Sequence, residues 1–342
     1  MTSRFQFGLA LRGQYPMGDD IQLRLAELLE QARTADALGF DSITKTSHHS
    51  THPFQALQQL PVLARLTAEV KRARLNAGIV LLALYKPLEV AEHFATLDVL
   101  AGGRLIFGAA LGYRDVEFNA FGIPKSRRGK VFEENLIALK RLWAEDQVSL
   151  KGSHFELTEA SCLPKPVQRP HPPIWIGADA DAALDRAARL GDCWYINPHS
   201  RISTIIRQLD IYKAALDRHG KPFPAELPMR RELFVAKTRA EALRLCRPYL
   251  ETKYKAYHDW GQDKEMPEGD NNLGQGFDEL VGDRFIIGSP DEVVEQVLAL
   301  HRATGMNHLI ASIEWPGMPP RLVLDTMHLI ASEVLPKLRQ AI

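Results

Sequence analysis

Two short stretches hold the side chains best suited to chemistry. In Thr44-Lys45-Thr46-Ser47-His48-His49, adjacent histidines follow an apolar strand read at 41–46. Imidazole exchanges a proton near neutral pH, so His48 and His49 are candidate catalytic residues as general acid or base, or else merely hydrogen-bonded loop residues. A metal site would need further ligands at defined spacing. Neither His52 nor a local acidic residue supplies them, so no metal is expected. The second stretch, Trp175-Ile176-Gly177-Ala178-Asp179-Ala180-Asp181-Ala182-Ala183-Leu184, reads as strand, tight turn and helix. Its free N–H groups and positive dipole end form a candidate anion site, with Asp179 as an ordinary N-cap. Two aspartates beside an anion repel it unless they point away.

The elements that position these residues follow one grammar of helix, glycine, short turn and apolar strand. It recurs at Gly39, at Gly102-Gly103, at Gly191 and at Gly305, where a glycine in the left-handed conformation would end each helix. Joints spread along the whole chain imply a continuous βα alternation, and the expected fold is a (β/α)8 TIM barrel in a single domain over 1–342. Strands are expected at 5–11, 41–46, 74–82, 104–110 and near 173–177, 193–196, 230–236 and 308–312. Helices are expected at 21–38, 54–69, 88–101 and 129–145. Insertions are placed at about 112–128 (a long loop), 146–172 (containing a hairpin) and 259–285 (a loop or lid rich in glycine). Loop residues 44–49 and 177–183 then fall at the carboxyl ends of strands, where α/β folds bind ligands. Arg104 is expected to pair with Asp98 or Glu92 in the scaffold.

The 342 residues carry 45% hydrophobic and 25% charged side chains, an ordinary globular composition. Because 42 basic and 42 acidic residues cancel, no overall field favours nucleic acid or an anionic membrane, and a small-molecule partner is expected. Three cysteines without CxxC spacing argue against a disulfide framework. No apolar run reaches membrane-spanning length and no signal pattern opens the chain, so a cytoplasmic location is expected.

Several blocks in one order resemble the bacterial luciferase-like family of flavin-dependent oxidoreductases. They are Gly39-Phe40-Asp41 with His48-His49, Lys86-Pro87-Leu88-Glu89-Val90-Ala91-Glu92, and Leu97-Asp98-Val99-Leu100-Ala101-Gly102-Gly103-Arg104. Arg128 with Glu133-Glu134, Pro172-Pro173-Ile174-Trp175-Ile176-Gly177, and Ile287-Gly288-Ser289-Pro290-Asp291-Glu292 complete the set. The resemblance implies a bound flavin mononucleotide (FMN), its phosphate on Gly177, Ala178, Asp179 and Ala180 with Arg128, its ring against Gly78, Ile79 and Val80, and Tyr113 at the ring or the pocket mouth. It also implies His48 as a catalytic group beside the flavin. Ser47 stands where relatives often have glutamate, and Leu111 where luciferase has a phosphate-contacting arginine.

The activity so implied is a monooxygenase that uses reduced FMN and O2 to oxygenate a small organic substrate, an alkanal, ketone or terpenoid-like compound. A separate flavin reductase and a homodimer through early helices belong to the same expectation. The alternatives are hydride transfer with a deazaflavin, and a non-catalytic flavin-binding subunit. No GxGxxG after a first strand, no GxxxxGK[ST] and no GxSxG occurs.

Overall fold

The computed structural model describes residues 4–342. Nine parallel strands form one sheet in the order Cys193–Tyr195, Ile174–Gly177, Leu105–Ala110, Arg74–Leu81, Ser42–Lys45, Gln6–Leu11, His308–Ser312, Pro228–Val235 and Ile286–Gly288. The sheet curls until the chain after the end strand Cys193–Tyr195 reaches Pro228–Val235. The Ile196 N–H donates to the Pro228 carbonyl at 3.0 Å, and the Arg230 N–H to the Ile196 carbonyl at 2.9 Å. This is the mixed α/β architecture expected of a TIM-barrel type of chain. The count differs from eight because Ile286–Gly288, too short to stand out in the sequence, pairs with Leu233–Val235.

Helices pack outside the sheet over one large apolar core. Buried carboxylates fasten their ends. Asp36, at the end of the helix Ile21–Ala37, accepts the backbone N–H groups of Lys71, Arg72 and Ala73 at 2.8–3.0 Å, which seats the turn leading into Arg74–Leu81. Asp98 does the same for Leu105 and Gln168. Arg104 therefore does not pair with Asp98 as expected; its guanidinium donates to the carbonyls of Ala73 and Val70, capping that turn from the other side.

Three of the four glycine joints are left-handed, with φ of 84° at Gly39, 62° at Gly102 and 74° at Gly305. Gly191 is instead extended (φ −87°). A β-carbon there would lie 2.9 Å from the Ala187 carbonyl, so close approach rather than backbone handedness requires the glycine.

Other differences are local. The helix expected at 54–69 starts at Gln59, because Phe54–Ala56 pairs antiparallel with Gln14–Pro16. The stretch 112–128 is not a plain loop but contains the helix Asp115–Phe121. The hairpin within 146–172 is formed by Val148–Lys151 and Glu156–Ala160. Between 259 and 285 the chain is mainly loop, broken by the short helix Phe277–Val281. Among the described residues no helix is long and apolar enough to cross a membrane, and the three cysteines are free and buried.

Candidate active site

At the carboxyl ends of the strands lies a cavity of about 1170 Å³, its open mouth included. His48, Gly78, Ile79, Tyr113, Arg128, Gly177, Ala178, Asp179 and Ala180 all line it, although they come from five separate stretches of chain. Val80 and His49 do not. Val80 is buried in the core with Ala77, because the register shift between Ala77 and Val80 breaks the alternation that would have put it on the face of Gly78. His49 turns outward, sharing a 2.6 Å hydrogen bond with the Tyr85 hydroxyl and packing against Phe121.

His48 has a partner that the sequence reading placed in a loop. Its Nδ1 donates to Oε1 of Glu117, in the helix Asp115–Phe121, at 3.2 Å, and the same oxygen accepts the His49 N–H at 2.9 Å. Burial alone would raise the Glu117 carboxyl, but His48, the His49 N–H and Arg114, 3.6 Å away, hold it below the usual carboxylate range. An ionised carboxylate only accepts, so neutral His48 carries its proton on Nδ1 and keeps Nε2 as a base. The ring is set edge-on against Tyr113, Tyr257 and Trp260 at 5.5–6.0 Å. Tyr257 and Trp260 come from the end of the helix Arg239–Asp259 and the residue after it. Trp260 in turn lies 4.0 Å from the Arg114 guanidinium, so this segment is clamped over the histidine.

The second end of the cavity is built on the turn 177–180. The helix Asp181–Leu190 begins here with Ala180 at its N-cap and no capping side chain, so Asp179 is not the cap expected. First-turn N–H groups without such a cap are suited to an anion. The turn is held from behind, the Trp194 indole N–H donating to the Ala178 carbonyl at 3.0 Å and Gln208 to the Asp179 carbonyl at 2.7 Å. Asp181 turns away to Arg207, 2.5 Å distant. Burial, opposed by hydrogen bonding from Asn197 and augmented by Glu265, pushes the Asp179 carboxyl up to about 6. Arg128, the first residue of Arg128–Ala144, faces the same end and is paired with Glu265 at 2.6 Å.

Between these ends one wall, of Gly78, Ile79, Ala110 and Gly177, is glycine and apolar surface. A β-carbon on Gly78 would lie 2.6 Å from Thr44 Cγ2, and one on Gly177 would meet Ile79 Cδ1 and Ala110 Cβ at 3.3 Å. The Gly78–Ile79 peptide is cis. The Tyr113 hydroxyl is buried with no hydrogen-bond partner among the described residues, an unmet polar atom on the cavity wall. An apolar wall with an anion-ready turn at one end and an unpaired hydroxyl along it suits a flavin that carries a phosphate.

The comparisons with known proteins agree. Residues 5–308 match the family described as luciferase-like monooxygenase. The chain belongs to that family. It is 28% identical over 261 residues to the FMNH(2)-dependent dimethylsulfone monooxygenase of Pseudomonas putida, covering 72% of this chain and 70% of that one. The solved structure of monooxygenase RslO1 from Streptomyces bottropensis superposes with a TM-score of 0.85 at 27% identity, over 97% of this chain and 99% of the other. An F420-dependent secondary alcohol dehydrogenase superposes at 0.80 with 19% identity, covering 98% and 99%, a likeness of fold alone. As a member of the luciferase-like family the protein is a flavin-dependent oxidoreductase.

Sequence reasoning missed Glu117, Arg230, Lys253, Tyr257 and Gln262. The signal for Glu117 was present: Asp115, Glu117 and Gly122 are the acidic start and glycine stop of a one-turn-plus helix. The others reach the site only through tertiary packing. Among the described residues no His, Cys, Asp and Glu side chains converge as a metal site.

Proposed function

We propose that the luciferase-like protein described here is the oxygenase of a two-component system, taking reduced FMN from a separate reductase and using O2 to oxygenate a small organic substrate. The observation that carries this reading is the single cavity joining His48, held by Glu117, to the turn 177–180 and Arg128. Similarity to an FMNH(2)-dependent relative and to a monooxygenase structure supports FMN over a deazaflavin. We read the sheet as an eight-stranded barrel with Ile286–Gly288 appended.

Reduced FMN, when bound, supplies the two electrons that leave one atom of O2 in the product and the other in water. The chain's own residues do the rest. Backbone N–H groups of the turn and Arg128 hold the phosphate. Gly78 leaves room for the ring, Ile79 gives it an apolar side chain to lie against, and Tyr113 offers it a hydroxyl. The aromatic cluster of Tyr113, Tyr257 and Trp260 keeps water from His48, whose Nε2 takes or returns a proton. Two copies of the chain pair through their early helices in this reading.

Parallel anaerobic titrations with reduced FMN and with the reduced deazaflavin test the cofactor assignment. The expected result is tighter binding of FMN; selective binding of the deazaflavin moves the protein to hydride transfer.

A further inference from the structure

We propose that the substrate carries an anionic group, a carboxylate or sulfonate, that docks on Arg230 across the cavity from Gly78 and Ile79. The inference rests on the flavin reading above for what fills the opposite side.

Strand order places the two walls. From Arg74–Leu81 to Pro228–Val235 three strands intervene one way, namely Ser42–Lys45, Gln6–Leu11 and His308–Ser312. Through the Ile196–Met229 bridge three also intervene the other way. Arg230 therefore faces the strand of Gly78 across the lumen, on the side a ring lying against Gly78 leaves open.

The chemistry there is an excess of positive charge. Arg230 lines the cavity, and its Nε donates to the Ser312 hydroxyl at 2.7 Å; among the described residues no carboxylate pairs with it. Arg12, 3% exposed, donates from Nη2 to Gln14 at 3.1 Å, while its Nε and Nη1 have no partner among the described residues. Its guanidinium sits 5.7 Å over Tyr257, which lines the cavity. Lys253, also on the wall, is paired with Glu232, whose other oxygen accepts the Trp315 indole N–H at 2.5 Å. One carboxylate thus serves Arg12, Arg230 and Lys253 together. Nearby Glu314 makes up the deficit only in part, because burial pushes its carboxyl up to about 7. Lys45 and Lys253 are each pulled down to about 7, by burial first, with Arg230 repelling both.

The terminal N–H groups of Arg230 make no hydrogen bond among the described residues and belong to a side chain on the cavity wall, where a carboxylate or sulfonate satisfies such a fork with two parallel hydrogen bonds; buried Arg12 behind it adds positive field. Arg128, at the other end, already has Glu265; Arg230 has no such counter-ion. Tyr257 touches His48 on one side and Lys253 on the other, so a group anchored here keeps the substrate beside His48.

The test is calorimetric titration of the FMN-loaded protein with hexanoate and hexanesulfonate, against hexanamide as the neutral comparison. The expected result is a preference for the anions on the order of ten-fold, weakened by added salt. Arg230→Gln should remove the preference while shifting the FMN dissociation constant less than about two-fold, and Arg230→Lys should retain part of it. Equal binding of hexanamide would overturn the proposal. So would a preference that survives Arg230→Gln, or a loss of FMN rather than hexanoate in that variant. If Arg230→Gln does not fold, the wild-type preference and Arg230→Lys decide. If FMN itself does not bind, the flavin reading fails separately, and the same titration on flavin-free protein still judges the anion site.

Discussion

Oε1 of Glu117 lies 3.2 Å from Nδ1 of His48 and 2.9 Å from the backbone nitrogen of His49, so one fully buried oxygen fixes both the ring and the loop that carries it. The family resemblance implies a glutamate just before the histidine pair. Here Ser47 occupies that position and a carboxylate arrives from 69 residues further along the chain. The consequence is a defined tautomer, with Nε2 left to handle a proton.

Glu117→Gln keeps the shape but loses the charge that orients the imidazole. Turnover is expected to fall roughly ten-fold, with the pH optimum displaced and reduced-FMN affinity nearly unchanged. Comparison of steady-state pH profiles for wild type and variant checks this; an unaltered profile would assign Glu117 to the scaffold only.

His48 and Arg128 should divide the work. His48→Ala is expected to lower kcat by about 10² to 10⁴ with little change in FMN binding, whereas Arg128→Ala mainly weakens binding. Anaerobic titration and single-turnover rates on both variants separate the two effects. Equal losses of affinity would contradict the division.

Asp179 sits where a phosphate is expected and resists ionising. Its folded value of about 6 lies above the ordinary carboxylate value. The folded state therefore holds this proton more tightly between about pH 4 and 6, and stability is lost as the pH rises through that window. Asp179→Asn should raise FMN affinity several-fold at pH 7.5, change little at pH 5.5, and raise stability at neutral pH by on the order of 1 kcal/mol. Fluorescence titration and thermal unfolding at both pH values measure it.

Gly78 has no room for a side chain. Gly78→Ala would press its β-carbon on Thr44, Asn76 and Tyr195, at 2.6, 2.9 and 3.2 Å, and is expected to destabilise the protein by about 1–3 kcal/mol. Denaturant unfolding reports this directly, and a fall in flavin affinity should accompany it.

Much of the sheet was legible because strands such as Leu75–Leu81, broken only by Asn76, and Leu105–Ala109, opened by the stop at Gly102-Gly103, are nearly continuous apolar runs. Ile286–Gly288 and Phe54–Ala56 were not, since three-residue strands carry no period and exist only by pairing. In the site, the turn 177–180 and His48 could be read locally: each follows its strand at once. Val80 failed because the strand slips register between Ala77 and Val80, an irregularity its apolar sequence does not announce. Asp179 looked like a cap from its position alone, yet Ala180 takes that place. Glu117, Tyr257 and Arg230 meet His48 and the cavity across 69 or more residues, and no local pattern encodes such encounters.

The most direct measurement is to bind reduced FMN to the wild-type protein without oxygen, then mix the complex rapidly with oxygenated buffer and follow the flavin spectrum. The expected result is tight binding and an oxygen-dependent spectral transient that outlives the oxidation of free reduced FMN and is shortened in His48→Ala. Failure to bind reduced FMN, or a bound flavin inert to oxygen, would contradict it.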